Sequence, residues 1–411
     1  MFGTDRQRAM TLAALAAVLT LGAGSARAQT DADKPAGPRM EIYGFAQADF
    51  GYDFKQMDAN WFDVLRTTKI ESYPNQYGAD GRTWASVRQS RFGVKGWIPT
   101  SLGEVKTIFE WELFGVGVDA GQTTIRLRHA WGELNAFGAG QTWSPFMDPD
   151  IFPNSIEYWG PTGMPLFRNV QLRYMPLRGD DELFIALERP GASADGGSYS
   201  DRVELQNVKI RTPLPDLSAH YKKSGAWGHV QLAGILREIK WDDVNTDAYD
   251  LSGSTTGWGL HLSTILNATK NDVVRASVIY GEGVENYMND APIDIGVQNN
   301  FSDPKKPVVG KALPVLGIVL FLDHNWSQKL ATSIGYSYEH ISNTDGQKPS
   351  DFQWSNYALT NLLYTPVAGV MAGVEFQWGQ RHNFSDGWSA DDYRIQCSFK
   401  YNFSYMLGGK K

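Results

Sequence analysis

Arg394-Ile395-Gln396-Cys397-Ser398-Phe399-Lys400-Tyr401-Asn402-Phe403 alternates without a slip. Ile395, Cys397, Phe399, Tyr401 and Phe403 form one face, and Arg394, Gln396, Ser398, Lys400 and Asn402 the other. Successive side chains of a strand point to opposite sides, so a period of two describes a ribbon with one dry and one wet face. Working back along the chain, Ala372, Val374, Phe376 and Trp378 oppose Gly373, Glu375, Gln377 and Arg381. Near the other end, Ile42, Ala46, Ala48 and Phe50 oppose Glu41, Gln47 and Asp49, with Tyr43 and Phe45 as exceptions. In a soluble sandwich the dry face turns inward; in a membrane barrel it meets lipid and the charged face lines water.

The connections separate these two readings. Long ones at 54–82, 144–167, 189–216, 284–311 and 383–390 alternate with short ones at Pro99–Gly103, Leu177–Asp181, Ser224–Gly228 and Ser327–Lys329. A barrel with both ends in the periplasm has short turns on one rim and long loops on the other; a sandwich has no reason to. Seventeen segments fit the pattern, and an even number is expected of a single-chain bacterial barrel. The odd one, Arg202–Arg211, runs into Pro213 and Pro215, which interrupt a ladder, and is placed in an external loop. The fold expected is therefore all-β: a 16-stranded antiparallel transmembrane β-barrel, using on the order of 160 residues at about ten per span. Trp97, Trp131, Trp258 and Trp326 sit near segment ends, which suits an interfacial girdle and equally the core of a sandwich.

Export is read from the start of the chain. Arg6 and Arg8 precede an apolar run from Ala9 to Gly24, and Ser25-Ala26-Arg27-Ala28 supplies a small-residue cleavage site, the layout of a secretory signal peptide. The divisions expected are a signal peptide over 1–28, a short periplasmic segment over 29–39, the barrel over 40–403 and a C-terminal extension over 404–411. The location expected is the outer membrane. Losing three arginines and one aspartate with the leader takes the net charge from −7 to −9, which disfavours a nucleic-acid partner. Cys397 is the sole cysteine, so no internal disulfide forms and a stapled extracellular scaffold is excluded. No later stretch approaches the ~18 apolar residues of a membrane helix.

Residues 144–167 form the leading candidate for a functional element. They hold Pro145, Pro149, Pro153, Pro161 and Pro165, which stiffen a backbone outside the sheet, with Asp148, Asp150 and Glu157 among them and Arg168 just after. Two readings stay open from spacing alone: a loop folded inward to narrow a pore, or an external loop with solvated acids. The polar faces of the strands carry Arg91, Lys95, Arg126, Arg128, Arg173, Arg381, Arg394 and Lys400, countered by Glu41, Asp49, Glu110, Glu112 and Glu375. Arginines around a narrow passage favour anions, and the guanidinium fork matches a carboxylate. The expectation is a pore with arginines facing the acidic loop; the alternative is that they pair with lumen carboxylates and keep the wall rigid. Asp195, Asp201, Asp242, Asp243 and Asp247 place much of the negative charge in external loops, away from any constriction.

Nothing in the sequence calls for a cofactor or metal. His129, His220, His229, His261, His324, His340 and His382 are scattered, and no H-x-x-H, H-E-x-x-H or G-x-S-x-G occurs. His129 shares the nominally apolar face with Trp131 and is expected at a lipid or subunit boundary. Passive diffusion of small hydrophilic solutes is the leading function, and no enzyme is expected. The alternatives are an adhesin or structural anchor working through the loop from Val284, with Tyr287, Met288, Pro292 and Pro307, and a membrane hydrolase.

Gly140-Gln141-Thr142-Trp143-Ser144-Pro145-Phe146-Met147-Asp148-Pro149-Asp150 resembles the DcaP-like family of trimeric outer-membrane porins. So do Gln89-Ser90-Arg91-Phe92-Gly93-Val94-Lys95-Gly96, Arg126-Leu127-Arg128-His129-Ala130 and Gly160-Pro161, in the expected order. The resemblance runs from Met40 to Phe403 and implies a sixteen-stranded homotrimer with its third loop folded into the lumen. It also implies uptake of small anionic, often dicarboxylic, solutes, with outer-membrane lipid and lipopolysaccharide as surroundings. Small residues on the first strand, Gly44, Ala46 and Ala48, suit close subunit contact. Two departures stand out. Some members carry a periplasmic coiled coil, whereas here only Thr30–Arg39 separates leader from barrel, with no heptads. Phe403 resembles the terminal aromatic read by assembly machinery, yet Ser404–Lys411 follow it.

Overall fold

A computed structural model describes residues 37–244 and 247–409. The leader assigned to 1–28 lies outside the described residues. The described chain is built of strands and short 3-10 turns. The strands are β1 (Arg39–Asp53), β2 (Arg82–Ser86), β3 (Arg91–Thr100), β4 (Gly103–Phe114), β5 (Thr123–Leu134), β6 (Phe137–Trp143) and β7 (Arg168–Leu177). They continue with β8 (Asp181–Glu188), β9 (Ala194–Asp195), β10 (Val208–Arg211), β11 (Asp216–Gly225), β12 (Gly228–Asp243), β13 (Gly253–Asn267) and β14 (Asp272–Glu282). The last are β15 (Ile295–Asn299), β16 (Val308–Ala312), β17 (Pro314–Asn325), β18 (Leu330–Ile341), β19 (Phe352–Val367), β20 (Val370–Asn383) and β21 (Ser389–Gly408).

Eighteen of these share one antiparallel sheet, which closes where β21 pairs with β1, from Arg39↔Gly408 to Asp53↔Arg394. Two crossings are interrupted. β1 pairs with β3 through Arg39–Phe45 and with β2 through Asp49–Asp53, so β2 and β3 are two pieces of one wall. Likewise β10 lies beyond Pro213 and Pro215 and pairs with Lys240–Asp243 at the outer end of β12, above the β11 register. The wall therefore has sixteen crossings, and the segment ending at Arg211 is an outward extension rather than a span. The last strand keeps its register past Phe403, which faces Gly44, on to Gly408.

Which face is oily decides the architecture. On β12, β13 and β21, Leu232, Leu260 and Phe399 are each about half exposed, while Gln231, His261 and Ser398 beside them in sequence are buried. The apolar row points out of the closed ring and the polar row into it, as lipid on one side and a lumen on the other demand. Short turns share a rim with both described chain ends; the long loops occupy the other. Over that second rim β15 pairs with β16 antiparallel and with β9 parallel, forming a small separate sheet.

Three long loops enter the ring. The contacts of 144–167 follow the inward side chains of strand after strand. His220 and His261 donate to the Pro145 and Phe146 carbonyls at 3.0 and 3.1 Å, and Gln231 to Met147 O at 3.0 Å. Further along, Ile156 N donates to Glu375 at 3.0 Å, Gln396 to Ile156 O at 3.2 Å, and Thr162 to Glu339 at 2.6 Å. The first loop joins it: Met57, Trp61, Val64 and Leu65 pack with Ile151 and Met164 against Phe321 and Tyr357 of the wall. Residues 283–294 complete the knot, Leu166 N donating to Tyr287 O at 3.0 Å and Asn289 N to Met164 O at 2.8 Å. Loop backbones inside a barrel must find partners as any buried backbone must, and here the polar lumen wall supplies them.

Candidate functional site

β3, β5 and β7 carry Arg91, Arg126, Arg128 and Arg168 to a pair of glutamates on β4. Arg128 Nε lies 2.6 Å from Glu110 and its Nη1 2.6 Å from Glu112. Arg91 reaches Glu112 at 3.4 Å, while Arg126 and Arg168 approach it more loosely, at 3.7 and 3.8 Å. Tyr158 of the third loop donates to Glu112, and Tyr43 donates to Glu110 at 2.6 Å. Four fixed cations thus share two carboxylates. Arginine stays charged throughout the accessible pH range, so an excess of positive charge remains on this wall.

The crowding follows from a bulge. Glu110 pairs with His129 and Trp111 with Leu127, leaving Arg128 as the extra residue in the β5 ladder. An extra residue reverses the inside-outside parity beyond it. Arg128 and His129 therefore both turn inward, and Trp131 after them. His129 is buried with Nδ1 3.0 Å from Thr142 Oγ1, and Arg173 lies over the Trp131 ring at 5.0 Å. The lipid or subunit boundary expected for His129 is corrected by this one residue of slippage.

A cavity of about 570 Å³ opens against the cluster, lined by Arg91, Arg126, Arg128 and Arg168 together with Arg66, Tyr158, Trp159 and Lys400. Lys400 sits 3.9 Å over the Phe45 ring. Lys95 lies apart, paired with Glu41 at 3.3 Å. Arg173 donates to Trp143 O and, at 3.0 Å, to Gln171. Arg381 gives its protons to Thr68 O at 2.9 Å and Ser350 O at 3.0 Å. Arg394, fully buried, lies 3.1 Å from both Asp53 and the Phe62 carbonyl. Arg381 and Arg394 face inward as their spacing requires, but the first loop covers them. Phe403 faces outward, about half exposed.

Among the described residues the acids of the third loop make no ion pair with these arginines, although Glu157 borders the same cavity. Asp148 is buried against His229 at 2.8 Å and Ser263 at 2.7 Å. Burial pushes its carboxyl up, but the hydrogen bonds from His229 and Ser263 outweigh that and hold it at about 2. Asp150 is exposed, 3.7 Å from Lys222. Glu157 is enclosed: it accepts from Leu65 N at 3.1 Å and from Gly160 N, yet burial prevails over these donors and pushes its carboxyl up to about 8. These side chains fasten the loop. Asp148, Asp150 and His229 do offer three ligand atoms within 4.8 Å of one another, but two of the three already bond each other and Lys222 stands beside the third.

Arg66 escaped the sequence reading. It belongs to the first loop, where no periodicity marks a lumen-facing residue. Arg88 and Arg237 are likewise buried structural cations, at 2.5 Å from Asp63 and at 3.0 and 2.9 Å from Asp216 and Asp294.

Comparison with known proteins follows the same lines. Over 92% of this chain and 100% of the other, the fold matches the outer membrane channel DcaP of Acinetobacter baumannii, with 22% identity and a TM-score of 0.75. The anion-selective porin from Comamonas acidovorans matches at a TM-score of 0.56 and 10% identity, over 89% of this chain and 100% of that one. OmpT of Vibrio cholerae, in its trimer form, gives 0.53 and 11%, over 89% and 100%. At such identities the likeness speaks for the fold. A search of curated proteins finds no match. The family described as DcaP outer membrane protein matches residues 5–403, nearly the whole length. An oily-faced closed barrel and a match of that extent lead to one assignment: this chain belongs to the DcaP outer membrane protein family.

Proposed function

We propose that the chain is an outer-membrane channel through which small hydrophilic solutes diffuse passively, with preference for anions and carboxylates in particular. The observation that carries this reading is the charge imbalance beside the cavity, where Arg91, Arg126, Arg128 and Arg168 have, among the described residues, only the Glu110 and Glu112 carboxylates within 4 Å. In a passage walled by protein, a fixed charge acts on a solute more strongly than on open surface. The third loop, with the first loop and residues 283–294, forms the constriction, and Arg168 stands where that loop rejoins the wall. The overall negative charge does not oppose this, because selectivity is set at the narrowest point. The channel and porin folds it resembles support a transport role over an enzymatic one. A homotrimer among outer-membrane lipid and lipopolysaccharide is the assembly proposed, supported by the trimer form of the related OmpT fold.

The reversal potential of single channels under a salt gradient tests the reading. Anion preference is expected; cation preference ends it. Liposome swelling with mono- and dicarboxylates against neutral sugars then reads solute class, and equal rates after size correction leave a nonspecific sieve.

A further inference from the structure

Arg66 enters the lumen from the first external loop and is held on three sides. Its guanidinium lies in the corner of an edge-to-face indole pair, 4.1 Å from the Trp61 ring and 4.2 Å from that of Trp159, the two rings being 4.9 Å apart at 75°. Along a third side, Nε and Nη2 meet Asp290 at 2.8 and 2.7 Å. Asp290 is saturated from behind as well, by Thr68 N at 3.0 Å and Thr68 Oγ1 at 2.7 Å. The pair is lopsided toward the cavity: the Asp290 side chain is 2% exposed and that of Arg66 12%, and Arg66 lines the cavity that the wall arginines share. Among the described residues Nη1 has no hydrogen-bond partner.

We infer that Arg66 is a specificity-determining residue of the pore, presenting Nη1 as a preorganised donor to the anionic oxygen of a passing solute, with Asp290 tempering its charge. The inference rests on the anion-favouring reading of the channel. An arginine held in a corner of two indoles and against a carboxylate has already lost its rotamer freedom, so a solute need not pay for ordering it. Planarity matters here. A lysine would keep the charge but lacks the planar fork that gives two nitrogens to one carboxylate and leaves a third turned away from it. The first loop then supplies a contact that the barrel wall alone does not have.

The two partners make opposite predictions. In single-channel recordings of the whole protein, R66Q is expected to lower the anion-to-cation permeability ratio three- to tenfold, and D290N to raise it by at least twofold. R66K should fall between wild type and R66Q. If the pair only ties loops together, both R66Q and D290N move conductance and ratio the same way; that result, or no shift with R66Q, overturns the inference. Circular dichroism and heat-modifiable migration check that each variant is folded, and R66M, which keeps the apolar stem, serves if R66Q is not. The wild-type sign of selectivity is read separately. A cation-selective wild type defeats the channel reading, whereas an anion-selective wild type with an unshifted R66Q defeats only the assignment of Arg66.

Discussion

Gly163 of the third loop and Gly317 of β17 touch backbone to backbone. A Cβ built on Gly317 would stand 2.0 Å from the Gly163 carbonyl oxygen, and one built on Gly163 would stand 2.2 Å from Tyr338 O and 3.1 Å from Gly317 Cα. Gly163 also holds φ at +70°, a conformation that favours glycine. The loop is seated against the wall with no space for a side chain between them.

G317A should therefore lift this limb of the loop off the wall. The expected result is a larger single-channel conductance and a loss of about 1–3 kcal/mol of stability from overpacking. Conductance measured beside thermal unfolding checks both, and an unchanged conductance would show that the loop is not the narrow point.

Glu112 is the shared counter-ion of four arginines. E112Q leaves them less balanced, so anion preference should rise; R126Q combined with R168Q should lower it. Reversal potentials in the same salt gradient compare the variants directly. A fall in anion preference for E112Q would mean that the wall charges act only on one another.

Acidity should act through Glu157. Its carboxyl, at about 8 in the folded chain against an ordinary 4.5, binds a proton that the unfolded chain releases earlier. The stability it contributes is present in full below 4.5 and declines as pH rises, being lost by the time pH passes 8. Ionisation also places a negative charge inside the lumen, so anion preference should weaken above pH 8 in wild type and stay level in E157Q. Selectivity recorded from pH 6 to 9.5 for both proteins tests the difference.

Arg394 gives the contrasting case. It is buried against Asp53, and Arg82 holds that carboxylate too, at 2.9 Å. R394Q should cost roughly 3 kcal/mol, the low end for breaking a buried pair, while leaving selectivity alone. A shifted reversal potential with unchanged thermal stability would reverse that assignment.

Much of this fold was legible because lipid and water impose a period of two. The terminal strand reads correctly from Arg394 to Phe403, and the proline pair after Arg211 marks the break between β10 and β11. What stayed hidden has physical causes. The bulge at Arg128 changes parity without a residue type that announces it, so His129 and Trp131 read as outward. Arg381 and Arg394 lie on the polar face of their strands, but their spacing says nothing of a loop arriving from elsewhere to cover them. Arg66 carries no pattern at all, because its position is set by Trp61, Trp159 and Asp290, which lie far apart in sequence. Asp148 and Glu157 were found as loop acids, yet only tertiary contacts turn one toward His229 and the other toward Leu65.

The seam between β1 and β21 has a consequence for biogenesis. Ile156 and Glu157 bond to Glu375, and Gln396 to Ile156, so part of the wall that grips the third loop belongs to the last two strands of the barrel. Until Arg39 meets Gly408 there is no inside for the loop to occupy. The inner knot and the final zipper must mature together, like a ship rigged before its bottle is sealed, and a chain that shuts with its loop stranded outside has no easy way to draw it in.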